Sequence, residues 1–387
     1  MGVCLVAWRT KKGDKKMKRI FHTIFVSVVI LLLSSCGRPI PIEDLTIALI
    51  LGVDIDEENN LVISESSPVF SEDAPKNIAT YEVKAKTIRE SRELFNVRAT
   101  GDVTAAKIQV FLIGKRVLEQ DNWFSMLDTV YRNPTFSINT RVIVVDGPVA
   151  DVIFYEPDNK PPLPLHLKGL IDKYTMRTTD VIITFQELHR QMYEKGLTAF
   201  IPELIKVNDL RLNGLTLLDG DGKYVDSLSI NESLLLLVLK GEQKHELTLT
   251  FPVTSVEEDG GIFNLNEISI AFSNINTKVK SSYKDDEFSF DFNIKMRGSI
   301  AERLFVTGSM KEDELKKMLE KELKSQFENL INKIQENKID PIGLGLYARA
   351  YHYEQFKKVE DNWGEALAEA NINVSVEVEI KSPGAVK

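Results

Sequence analysis

The sequence predicts an α+β fold: several mixed β-sheets with packed helices in two to three domains, and a long amphipathic C-terminal helix. Three observations carry that expectation. Strand-like apolar runs alternate with segments of helical period over residues 46–205, and hairpin-forming runs follow from residue 206. Near residues 311–337, apolar side chains repeat by threes and fours over many turns. At 387 residues with 43% hydrophobic content the chain can bury more than one core.

The first element reads as a lipoprotein signal peptide over residues 1–35. Lys11, Lys12, Lys15, Lys16, Lys18 and Arg19 form a basic start, Ile20 to Leu33 an apolar stretch, and Ser34-Ser35 a small-residue exit. The apolar stretch is shorter than the ~20 residues a transmembrane helix needs. Leu33-Ser34-Ser35-Cys36 fits the bacterial lipobox, in which the cysteine is acylated and becomes the mature N-terminus; Met17 is an alternative start. Cys36 is therefore the expected lipid attachment residue, and residues 36–45 a lipidated tether with two prolines in GRPIP. The other cysteine, Cys4, leaves with the signal, so no disulfide is expected in a compartment that would permit one.

Charge points the same way. The whole chain carries a formal −9, and residues 1–35 hold seven Lys/Arg against Asp14 alone, so the mature chain carries −15. An acidic extracytoplasmic body argues against nucleic acid or anionic head groups as partners. Membrane contact falls to the acyl chains, each buried methylene contributing ~0.8 kcal/mol.

The N-terminal α/β domain is expected over 46–205, with a sub-boundary near 155–164. Thr46 to Val53 and Leu61 to Val69 predict strands joined by DIDEENN, and Tyr81 to Ala85 a third. Thr87-Ile-Arg-Glu90 is a capping box opening a helix to about Arg98. Lys107 to Ile113 predicts a strand, Asp121 to Asn133 a helix stopped by Pro134, and Arg141 to Val145 a strand buried on both faces. Tyr155 to Pro164 holds four prolines and predicts a loop, followed by helices at Leu165 to Tyr174 and Phe185 to Lys195 and a strand at Phe200 to Val207.

The C-terminal α+β domain is expected over 206–387, divisible near 275–285. LNGLTLL, DGDG and KYVDSL predict a hairpin, and Asn231 to Leu239 a short buried helix. Strands follow at His245 to Phe251, Gly261 to Phe272, Lys278 to Tyr283 and Phe288 to Ile300. Ser309-Met-Lys-Glu312 predicts the cap of the long helix, whose apolar stripe is laid on its own sheet. Ile372 to Ile380 alternates strictly and predicts a last strand.

A search for chemistry finds little. His166, His189, His245 and His352 are scattered, with no HExxH, HxH or cysteine partner, so no metal site is predicted. GxSxG, GxxxxGK[ST] and a glycine fingerprint after a strand are absent, so no catalytic residue and no cofactor is predicted. Asp54, Asp56, Glu58, Asn60 and Glu65 fall at ligand positions of a calcium loop. Asn59 stands where that loop needs Gly, and strands flank it where helices belong, so a solvated hairpin turn is expected instead. Tyr347, Tyr351, Tyr353, Phe356 and Trp363 form an aromatic cluster, read as packing around the last helix, with an exposed docking surface as the alternative.

The combination resembles the C-subunit lipoproteins of spore germinant receptors, the Ger(x)C family. Cys36, Glu43-Asp44-Leu45 and LILGVDID match its N-terminal pattern. KIQVFLIG, Leu127-Asp128, Arg132-Asn133-Pro134, Asn139 and VIVVDG match its strand, helix, turn and strand. Asp340-Pro-Ile-Gly343-Leu-Gly345 and Trp363 match its C-terminal signature. Two departures are Gly37-Arg38-Pro39 in place of a tryptophan after the lipobox cysteine, and Pro341 at the signature's variable position.

The resemblance implies a lipid-anchored subunit of three α/β-type domains without catalysis, sitting on the outer face of the spore inner membrane beside membrane-embedded subunits of the germinant receptor. Such a complex senses nutrients and commits the spore to germinate. The ligand-binding residues are unknown from sequence. An extracytoplasmic solute-binding lipoprotein is the alternative, and a surface hydrolase built on Asp/Glu pairs a third.

Overall fold

The computed structural model describes residues 11–33, 41–70, 74–156, 159–178, 182–243, 245–253, 267–303 and 311–381. Two units separate by their internal contacts, Met1–Leu45 and Thr46–Lys387. In the first, Lys11–Leu33 is a helix and Ile42–Asp44 a single 3₁₀ turn. Ile20, Phe21, Ile24 and Phe25 of that helix are exposed. Among the described residues no helix is long and apolar enough to cross a membrane. Cys36 and residues 37–40 of the expected tether lie outside the described residues.

The strands, in chain order, are β1 (Leu45–Ile47), β2 (Ile50–Ile55), β3 (Leu61–Pro68), β4 (Ile78–Lys84), β5 (Asp102–Thr104), β6 (Val110–Gly114) and β7 (Arg141–Val145). They continue with β8 (Phe200–Lys206), β9 (Leu210–Leu218), β10 (Tyr224–Leu228), β11 (Leu247–Pro252), β12 (Glu267–Lys284), β13 (Glu287–Arg303) and β14 (Asn371–Ile380). Eight form one mixed sheet in the order β10-β9-β8-β7-β6-β2-β3-β4, four form a second in the order β11-β12-β13-β14, and β1 pairs with β5.

In the large sheet β2, β6, β7 and β8 run parallel, and antiparallel strands extend both sides. Parallel strands need cover on both faces, which is why VFLI and VIVV are buried throughout. One face packs under helices Ile88–Asn96 and Phe185–Tyr193, the other under Val149–Ile153 and Leu163–Thr178. Thr87 caps the first of these helices, its hydroxyl accepting from Glu90 N–H at 3.0 Å.

The expected boundary at 205/206 falls at the last residue of β8, which pairs antiparallel with β9, and the hairpin β9–β10 belongs to the large sheet. Helix Ile230–Lys240 follows, closed at its start by a capping box of Ser229 and Glu232 and at its end by Gly241 at φ +69°. Leu235, Leu236 and Leu239 join an apolar core that runs from the large sheet to the four-stranded one.

The four-stranded sheet lays one face against the long helix Glu312–Glu336. Phe288, Phe290, Phe292, Ile294 and Met296 alternate inward from β13, and Leu315, Leu319, Leu323, Phe327 and Ile334 meet them from the helix. Its other face is polar, with Lys295 paired to Glu377 at 2.6 Å and Arg297 to Glu379 at 2.7 Å across the parallel β13–β14 ladder.

Several expectations need correction. Asp121 to Asn133 is not one helix: Asn122 at φ +57° starts a 3₁₀ segment, Trp123–Leu127, and only Asp128–Arg132 is α-helical. The strands expected at Gly261 to Phe272 and Lys278 to Tyr283 belong, from Glu267 on, to the single strand β12; residues 261–266 are outside the described range. Asp285 and Asp286 both take positive φ, forming the two-residue turn that lets β12 reverse directly into β13. Ser309 lies outside the described residues, and the long helix starts at Glu312, with Glu314 accepting from Lys311 N–H.

Candidate functional site

The residues that carry the C-terminal signature meet at one buried point. Asp340 is fully buried just beyond the long helix. Its Oδ1 accepts from Gly343 N–H at 2.7 Å and Leu344 N–H at 3.0 Å, and its Oδ2 from Gly345 N–H and Trp363 Nε1–H, both at 2.8 Å. Helix Leu344–Tyr351 thus begins on a carboxylate, the charge its N-terminal amides favour. Burial pushes the Asp340 carboxyl above its usual range, while these four donors pull the other way. Pro341 has no N–H to satisfy in this crowded turn, and its carbonyl accepts from Lys240 Nζ at 3.2 Å.

Thr198 locks the same point to the large sheet. Its N–H donates to the Asp340 carbonyl at 2.9 Å, and its hydroxyl accepts from Asp340 N–H at 3.0 Å. Beside it Gly196, at φ +82°, lies so close to Gly345 that a Cβ on Gly345 would sit 2.3 Å from the Gly196 Cα. The signature glycines are therefore needed for backbone approach and for positive φ at Gly343, +90°. The junction ties the segment before β8, helix Ile230–Lys240 and the C-terminal helices into one body.

A second cluster sits at the carboxyl ends of β2, β6 and β7, where open α/β sheets commonly bind ligands. Here the groups are spent on one another. Asp54 Oδ2 accepts from Val149 N–H at 2.9 Å, Oδ1 accepts from Ile55 N–H at 2.8 Å, and a Cβ on Gly114 would lie 2.3 Å from that Oδ1. Lys115 bridges Glu203 at 3.0 Å and Asp146 at 3.2 Å. Glu203 also accepts from Asn213, Thr216 and Ser227. Burial alone would raise its pKa, yet Ser227, Asn213 and Lys115 together hold it below the usual range.

The acidic run considered as a calcium loop is dispersed. Asp56 accepts from the Glu58 and Asn60 backbones within the β2–β3 turn, Asp54 points to Val149, and Glu65 is buried in β3. Among the described residues no three His, Cys, Asp or Glu side chains are placed to hold a metal ion. His189 lies against the rings of Tyr131 and Tyr193, each centroid 4.6 Å away. The aromatic cluster divides: Phe356 and Trp363 are core, and Tyr351 and Tyr353 are exposed.

Sequence reasoning singled out Asp340, Gly343, Gly345 and Trp363 but missed Thr198, Gly196, Lys115 and Glu203. For Glu203 a signal existed, a lone acid inside the apolar strand FIPELI.

Comparison with known proteins agrees over both halves of the body. A model described as "Spore germination protein N-terminal domain" matches residues 39–206, and one described as "Spore germination B3/ GerAC like, C-terminal" matches residues 213–384. Spore germination protein KC of Bacillus subtilis is 20% identical, over 95% of this chain and 97% of its own length. Spore germination protein A3 of the same organism is 22% identical, over 92% and 95%. The crystal structure of the GerBC protein has the same fold, with a TM-score of 0.55 at 18% identity over 86% of this chain and 97% of that one.

Proposed function

The chain belongs to the Ger(x)C family of spore germination proteins, and from that premise we propose that it is a lipid-anchored, non-enzymatic subunit of a nutrient germinant receptor. The observation that carries this reading is positional. The family match begins at residue 39, three residues after the lipobox cysteine Cys36, and the two matched domains cover residues 39–206 and 213–384. Acylation at Cys36 holds the body at the outer face of the spore inner membrane, where membrane-embedded receptor subunits are its partners. Several acyl chains make such attachment durable. The interlocked polar clusters support a scaffolding role, since their hydrogen-bonding capacity is spent within the fold.

Replacing Cys36 by Ala tests the proposal. The variant is expected to leave the spore membrane fraction for the soluble one and to slow nutrient-triggered germination. Full membrane retention, or release with germination unchanged, overturns it.

A further inference from the structure

Between the large sheet and helix Ile88–Asn96 lies a cavity of about 180 Å³. Its floor is Ala48 and Leu51, and its walls are Ile88, Phe95, Val103 and Ile108, all buried apolar residues. One carboxyl stands inside this lining. Glu65, on β3 beside Leu51, is 1% exposed, and its Oε1 has no hydrogen-bond partner. An unmade hydrogen bond on a buried carboxyl costs more than one on a neutral group, so a native fold that keeps one leaves a place for a partner.

The rest of the lining defines that partner further. Arg89 and Arg92 line the cavity from the helix, and Arg92 Nε already donates to the Val103 carbonyl at 2.9 Å. Asn133 is occupied too, its Oδ1 accepting from Thr135. Two arginines in the lining disfavour a cation, and the Glu65 carboxyl disfavours an anion. Tyr81, opposite Glu65 in β4, is the titratable neighbour on the sheet side. A neutral hydroxyl suits Glu65 in either protonation state, because it both donates and accepts. In volume the cavity exceeds the ~150 Å³ that accommodates benzene in an apolar protein interior.

We propose that this cavity is a binding site for a small neutral alcohol with an apolar body, its hydroxyl on Glu65 and its hydrocarbon against Leu51, Ile88 and Phe95. The site rests on local geometry alone and stands apart from the lipid anchor and the receptor reading.

An isosteric series tests it on the soluble chain lacking residues 1–36, titrated by NMR with benzyl alcohol, toluene, benzoate and benzylamine. Benzyl alcohol is expected to bind about tenfold more tightly than toluene, the factor that one net hydrogen bond of ~1.4 kcal/mol provides. Benzoate and benzylamine are expected to bind more weakly than the alcohol. In Glu65→Leu the preference for alcohol over toluene disappears. Should that variant not fold, Ala105→Phe, which fills the cavity from its wall, is expected to abolish alcohol binding. Absence of binding by benzyl alcohol overturns the proposal, as does a charged probe binding more tightly, or binding undisturbed by both variants.

Discussion

Trp363 donates its indole N–H to Oδ2 of Asp340, 2.8 Å away and 23 residues back in the chain, with both side chains buried. The bond makes the tryptophan of the family signature a hydrogen-bond donor as well as a core residue, packed edge-on to Phe288.

Trp363→Phe keeps most of the packing and removes the donor. A bond to a buried charged acceptor contributes ~2 kcal/mol, and urea denaturation is expected to show a loss of about that size plus a smaller packing cost. Asp340→Ala strands three backbone N–H groups and is expected to cost more, ~4 kcal/mol. In the Asp340→Ala background Trp363→Phe should cost much less, and additive losses would show that the two act separately.

Gly345→Ala places a Cβ 2.3 Å from the Gly196 Cα, against backbone that cannot swing aside as a side chain would. The expected cost is about 3 kcal/mol, near the upper end for overpacking. Gly220→Ala, where a Cβ meets nothing within 4 Å, serves as the control and should stay within ~0.5 kcal/mol of the parent.

These positions show what sequence can and cannot carry. Strands such as Arg141–Val145 were legible because burial on both faces demands a continuous apolar run. The hydrophobic period located the long helix; among the described residues its start is held by Glu314 accepting from Lys311 N–H, and the expected Ser309 lies outside them. Asp121 to Asn133 keeps a helical period, yet Asn122 enters left-handed and the first turn tightens to 3₁₀, a local choice that periodicity does not register. The candidate site was half legible. Asp340 and Trp363 stand out as a motif, whereas Thr198 reaches Asp340 from 142 residues away, a proximity that only the finished fold creates.

Lys115→Met tests the cluster at the strand ends. Burial tends to lower the Lys115 pKa, but Glu203 and Asp146 raise it overall, so the ammonium stays charged. Its loss leaves the Glu203 charge buried with neutral donors only, a change expected to cost ~3 kcal/mol at pH 7. In the parent, Glu203 titrates below its unfolded value. Its contribution is therefore present above about pH 4.5 and fades as pH falls through the lower folded value. The penalty of Lys115→Met should accordingly shrink in acid, as the carboxyl takes up a proton in both states. A penalty unchanged between pH 7 and pH 4 in urea melts would mean that the lysine acts through packing alone.

Glu65 runs in the opposite direction. Burial pushes its pKa from 4.5 up to about 7, and Tyr81, Arg89 and Arg92 are the titratable groups around it. Between those two values the folded chain holds a proton that the unfolded chain has released. The stabilising contribution is complete below about pH 4.5 and lost as pH rises through about 7. At ~1.4 kcal/mol per unit of pKa, the shift amounts to about 3.5 kcal/mol. Glu65→Gln carries no ionisable group, so its stability relative to the parent should rise by roughly that amount between pH 4.5 and pH 8. Parallel profiles for the two proteins would mean that Glu65 titrates normally, with its charge compensated inside the fold.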